Sequence, residues 1–251
     1  MVAYTGITGF MNKAEVSAVL DTVPEDSERM VMIGVLASSE TIKGISNSRP
    51  RRYPKPDQMS AIFQQHPHAL NLIHFNTKEP MSLDDQLMRA REIGGDHCHG
   101  FQLNMAWPDP EDILYVERKF LSVIVLQVGA HALEMVGNSP ERLADKIESE
   151  YFSLIDHVLL DASGGAGKPL DAEMLRPYLR ALMAKQLPIG LGVAGGLGPD
   201  SLHLLGSLAD EFPDLSIDAE RKLRDEHDDL DVRAAITYHN RADDLFGNRI
   251  R

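Results

Sequence analysis

Residues 157–168 read HVLLDASGGAGK. An apolar run, His157-Val158-Leu159-Leu160, ends on a carboxylate, Asp161, and a glycine-rich loop containing Gly165 follows at once. Short runs of leucine and β-branched residues bounded by glycine are the pattern of a buried parallel strand. Such a strand delivers its acid to the C-terminal tip, beside backbone N–H groups that can meet an anion. A second glycine pair, Gly195-Gly196, closes another apolar run, and glycine there lets the backbone approach an anion closely. An acid set between two anion-cradling loops suits proton transfer on a phosphorylated sugar.

Further polar residues fall at the ends of apolar runs: Thr5, Ser38, His74, Asn76, Gln102, Asn104, Gln127 and Asp218. Arg51 and Arg52 lie on a long loop that can reach over them. Carboxylates, amides, a hydroxyl and an imidazole together suit acid–base work and recognition of sugar hydroxyls. For each the plain alternative is that it fills or caps a barrel top; Asp161, framed by glycines, is the strongest candidate. Other chemistries fit poorly. GGAGK resembles the end of a P-loop, but the required Gly is Ala162 and the required Ser/Thr is Pro169. His97-Cys98-His99 puts both imidazoles on one strand face, but at the start of a strand and without partners, so no metal is expected. A metal-dependent lyase or hydrolase built on His74 and Asp218 fails for the same lack of a ligand set. No lysine lies within an apolar run, the nearest being Lys78 beyond Phe75, which argues against Schiff-base chemistry. No cofactor is expected.

These residues need a scaffold that brings strand ends together. Apolar runs at 2–5, 30–36, 70–75, 98–103, 121–127, 157–161, 188–193 and 215–218 predict strands. Helical patterns separate them: from Asn12 to Leu20, Asp57 to Gln65, Ser82 to Ile93, 110–120, Ser139 to Phe152, Asp171 to Gln186, Pro199 to Asp210, and about 230–245. The segment 37–56 reads as a long, functional loop. Eight β–α units without a linker predict an α/β chain forming one (β/α)8 TIM barrel over residues 1–251, with an open doubly-wound sheet as runner-up. In such a barrel the active site lies at the C-terminal strand ends, and the loops after strands seven and eight commonly bind phosphate.

The net charge of −13 argues against nucleic acid and anionic membrane as partners, though not against a small phosphorylated substrate held by local donors. One cysteine, Cys98, excludes an internal disulfide framework and fits a reducing, cytoplasmic setting. No run approaches a membrane span or a signal sequence. A monomer or homodimer is expected.

In order along the chain, YTGIT is similar to KICGIT, RRYPKPDQ to PRYxSPEQ, Phe101-Gln102-Leu103 to VQLHG, VLLDASGGAGKPLD to LLDxxxGGTGKxFD, and GVAGGLGPDSL to LAGGLxPENV. LSIDAERKLRD stands in the place of GVDVSSGVExxxGxKD. The chain thus resembles, distantly and over much of its length, the phosphoribosylanthranilate isomerases among the ribulose-phosphate-binding barrels. The resemblance implies an Amadori rearrangement of an N-linked ribose phosphate, in which an acid protonates the ring oxygen and a base removes the C2′ proton. It implies Asp161 as the acid and Arg52 as the partner of the anthranilate carboxylate. Substrate contacts are expected at Gln102 and Asn76, and phosphate contacts at Gly195, Gly196, Gly165 and Ala219. Thr5 stands where the family has its cysteine base, and a threonine hydroxyl is a poor base without an activating partner. The family's phosphate-binding SSG is replaced by Ala219-Glu220-Arg221. The base is therefore expected to be Asp218, His74 or a water held by Thr5. The alternative is a catalytically silent barrel that binds a ligand or a partner, with the acidic segment 225–231 as its contact surface.

Overall fold

The computed structural model describes residues 1–79, 82–161 and 170–247. Gly165 lies outside them. Eight parallel strands close into a barrel in sequence order: β1 (Tyr4–Thr8), β2 (Met30–Ser38), β3 (Ala69–Asn76), β4 (Gly100–Leu103), β5 (Val123–Gly129), β6 (His157–Asp161), β7 (Gly190–Ala194) and β8 (Ser216–Ala219). β1 pairs with both β2 and β8, which seals the seam. Around it lie α1 (Lys13–Leu20), α2 (Ser39–Ile42), α3 (Pro56–Ile62), α4 (Leu83–Gly94), α5 (Pro110–Phe120), α6 (Ala130–Met135), α7 (Pro140–Lys146), α8 (Ala172–Ala184), α9 (Gly206–Glu211) and α10 (Val232–Gly247). None of the described helices is long and apolar enough to cross a membrane.

Strand alternation divides the apolar residues into two cores. Tyr4, Met32, Leu70, Leu72, Val125, Leu159 and Ala194 fill the barrel interior. Their strand neighbours, among them Ile7, Ile33, Ile73, Phe101, Val158 and Ile217, face outward against the helices. Burying each such side chain stabilises the fold by about 1.5–3 kcal/mol. Asn12, Ser139 and Asp171 cap their helices as the sequence predicts, each side chain accepting a backbone N–H of the first turn. Ser82 precedes α4 in a left-handed conformation without a side-chain cap bond.

The strands at 2–5 and 121–127 are displaced from their predicted places. β1 runs through Gly6 to Thr8, and β5 runs on to Gly129. A glycine normally signals a strand end, but Gly6 is demanded by packing inside the barrel: a Cβ there would lie 2.7 Å from Asp218 Oδ1. The long loop after β2 carries the short helix α2.

Candidate active site

Most inward-facing positions nearest the C-terminal strand ends are polar. They comprise Thr8, His74, Asn76, Gln102, Gln127, Asp161 and Asp218, and a continuous hydrogen-bond chain links most of them. Thr8 Oγ1 donates to Asp218 (3.0 Å). Gln102 Nε2 donates to Asp218 Oδ2 (3.0 Å) and to Gln127 Oε1 (3.0 Å), and Gln127 Nε2 donates to Asp161 Oδ2 (2.9 Å). His74 joins through Nδ1, 3.1 Å from Gln102 Nε2, and through Nε2, 3.0 Å from Asn104 Nδ2. Asn76 donates to the Tyr53 hydroxyl (3.0 Å). Asp161 and Asp218 therefore lie in one network spanning β6, β5, β4 and β8.

The network opens into a cavity of about 850 Å³ at the barrel mouth. Asp161, Asp218, His74, Gln127, Asn76 and Arg52 line it, together with Gly195, Gly196 and the segment 219–222. Gly195 and Gly196 have φ of +106° and +65°, values that favour glycine and turn the chain at the cavity wall. Ala219 buries its side chain in the outer core.

Burial raises the Asp218 carboxyl above the ordinary aspartate range, and Glu220 adds to this; His74, Gln102 and Thr8 pull it back down. Gln102 Nε2 carries two hydrogens yet faces three acceptors: Asp218, Gln127 and His74 Nδ1. Among the described residues its Oε1 has no partner. With the amide reversed, Oε1 can accept from a protonated Asp218. The site is thus suited to storing and moving protons near one buried carboxylate.

Two sequence expectations change. Thr5 is not at the mouth. It lies at the start of β1 and faces the helices, where Arg29 Nε donates to its hydroxyl (3.4 Å). The same guanidinium binds the Tyr4 and Leu215 carbonyls and stacks on Phe246 of α10. Alternation within β1 makes Thr8, not Thr5, the hydroxyl that reaches the cavity network, and no water held by Thr5 can act there. Arg52 is at the mouth but already holds carboxylates: Nε and Nη2 bind Asp228 (2.8 and 2.5 Å) and Nη1 binds Glu220 (2.6 Å).

The sequence missed Thr8, Tyr53 and the Arg52–Glu220–Asp228 cluster. Thr8 was recoverable from alternation once β1 is carried through Gly6; the cluster joins residues 168 and 176 positions apart and leaves no local signal. Among the described residues no His, Cys, Asp or Glu group is arranged to hold a metal ion. Cys98 is buried, which pushes its thiol up to about 11, and His99 accepts a backbone N–H at the opposite end of the barrel.

The chain is a closed (β/α)8 barrel with two carboxylates, Asp161 and Asp218, in the cavity at its mouth. Solved structures that it resembles include phosphoribosylanthranilate isomerases. Phosphoribosyl anthranilate isomerase from Thermus thermophilus superposes with a TM-score of 0.64 at 15% identity, over 97% of this chain and 99% of that one. N-(5'-phosphoribosyl)anthranilate isomerase from Pyrococcus furiosus gives 0.63 at 17% identity, over 96% and 99%. Monomers generated from the dimeric isomerase of Thermotoga maritima give 0.57 at 14% identity, over 96% and 98%. The chain has the barrel fold of these proteins along nearly its whole length. No family model and no curated protein matches its sequence.

Proposed function

We propose that this protein is an acid–base isomerase of an N-linked phosphosugar, with Asp161 as general acid and Asp218 as general base. The observation that carries the reading is that both carboxylates share one cavity and are joined through Gln127 and Gln102. Asp161 gives its proton to the furanose ring oxygen, and the ring opens to a protonated imine. Asp218 then takes the C2′ proton, leaving an enolamine that tautomerises to the 1-amino-ketose. A carboxylate whose pKa is raised by burial is a stronger base than an exposed one. Gln102 and Thr8 orient it. His74 is the alternative base. Backbone at Gly195 and Gly196, with Arg221 and Lys222 nearby, receives the phosphate.

Asp161→Asn and Asp218→Asn should each lower kcat/KM on N-(5-phosphoribosyl)anilines by about 10²–10⁴. An unchanged rate in either variant would remove that residue from the mechanism. A second reading, a barrel that binds without turnover, is favoured by Arg52 being occupied from within. Thermal stabilisation by ribose 5-phosphate, without turnover of any N-linked derivative, would support that reading instead.

A further inference from the structure

We infer that Glu220, fixed by Arg52, selects a substrate whose N-linked group carries no carboxylate and offers an N–H in its place; this rests on the phosphosugar reading above. Arg52 is the buried guanidinium of the mouth, and its Nε, Nη1 and Nη2 all point at carboxylates of the same chain. In these bonds one guanidinium meets two carboxylates, so its Nε, Nη1 and Nη2 are all engaged from within the chain, and Arg224 nearby balances the second carboxylate. An incoming carboxylate would have to break these charge-assisted bonds or lie against Glu220 with like sign. Glu220 lines the cavity and uses Oε1 on Arg52. Its Oε2 has no partner among the described residues, which leaves an acceptor on the cavity wall.

The cluster is preformed. Asp228 is held with φ of +69°, its carbonyl accepts from Arg224 Nη1, and Arg224 Nη2 reaches back to the Gly9 carbonyl (2.8 Å). Gly9 leaves room for that reach: a Cβ there would lie 1.5 Å from Arg224 Nη2. Of the other cations, Arg224 is close enough to feel both Glu220 and Asp228 but spends Nη1 and Nη2 on the Asp228, Thr8 and Gly9 carbonyls. Lys222 packs against Gly198 of the loop after β7, on the phosphate side, with Arg221 beside it. Arg49 is exposed, where a single ion pair contributes little.

Three stable analogues test this: 1-amino-1-deoxyribitol 5-phosphate carrying N-phenyl, N-(2-carbamoylphenyl) or N-(2-carboxyphenyl). The carboxamide and the carboxylate have nearly the same shape and differ in charge and in the N–H donor. By calorimetry the carboxamide should bind the wild-type protein at least about tenfold more tightly than the carboxylate. In the Glu220→Gln/Asp228→Asn double variant the order should reverse, because Arg52 is then free to take the carboxylate. Equal or tighter carboxylate binding by the wild type overturns the inference, and that comparison does not depend on the variant folding. A double variant that still prefers the carboxamide overturns the role of Glu220. Binding of none of the three removes the phosphosugar reading itself, and the inference with it.

Discussion

Thr5 and Thr8 are three positions apart in one strand and face opposite sides of the sheet. That odd spacing assigns Thr5 to the helix layer and Thr8 to Asp218. Replacing Thr5 with cysteine therefore should not raise isomerase activity, because the thiol would face Arg29 rather than the cavity; a gain in kcat/KM would show that β1 is read in the wrong register. Thr8→Val should act on the base instead. Burial raises the Asp218 carboxyl, and the Thr8 hydrogen bond opposes that by favouring the ionised form. Without the hydroxyl the pKa rises further. A general base works when ionised, so the acidic limb of the kcat/KM profile should move to higher pH, with activity recovering at the alkaline end. A profile that only drops in height, with no displacement, would mean that Asp218 does not serve as the base.

At the scale of elements, the paired ends of the barrel do different work. The upper inward positions hold the polar network, and the lower ones form an apolar plug that includes His157 of β6. His157 lies edge-on to Tyr4, with ring centroids 5.2 Å apart, and a Cβ on Gly190 would fall 2.0 Å from its Nδ1. Burial pushes this imidazole down to about 4. The folded state then binds fewer protons than the unfolded chain between about 6.5 and about 4. Its contribution is complete above the upper value and is lost as the pH falls through this window. At pH 5 the loss amounts to about 2 kcal/mol. Urea denaturation of wild type and His157→Leu at pH 7 and pH 5 should show the variant losing less stability on acidification by that amount. Equal losses would mean that His157 is hydrated or partnered in solution. The sequence made most of this architecture legible, because alternating apolar runs and capped helices report the barrel directly; Asp161, Asp218, His74 and Gln102 were recognisable as strand-end polar residues. Gly6 misled, since a glycine required by the Asp218 carboxylate looks the same as one that ends a strand. The occupation of Arg52 was not legible at all, because it depends on how two distant loops fold over the mouth.

Across the whole molecule, those two loops are what join the β2–α3 and β8–α10 connections over the cavity. Arg52 binds Glu220 and Asp228, and Arg51 pairs with Asp229 beside it. The Arg52 side chain is only 10% exposed, whereas Lys185, which bridges Asp145 and Glu148 on the outer helices, pairs two well-exposed carboxylates. Burial decides how salt acts on each, since screening weakens exposed pairs far more than sheltered ones. Arg52→Met removes several charge-assisted bonds and leaves two carboxylates close together, at a cost of about 1–3 kcal/mol. For a chain of this size each kcal/mol corresponds to about 2–4 °C in Tm. Most of the Arg52→Met decrease should therefore persist in 1 M NaCl, while any decrease from Lys185→Met disappears there. Scanning calorimetry of both variants at low and high salt checks this. If the two lose their effects in parallel, the loops are held by ordinary surface attraction, and the Arg52 cluster is not a fixed part of the cavity wall.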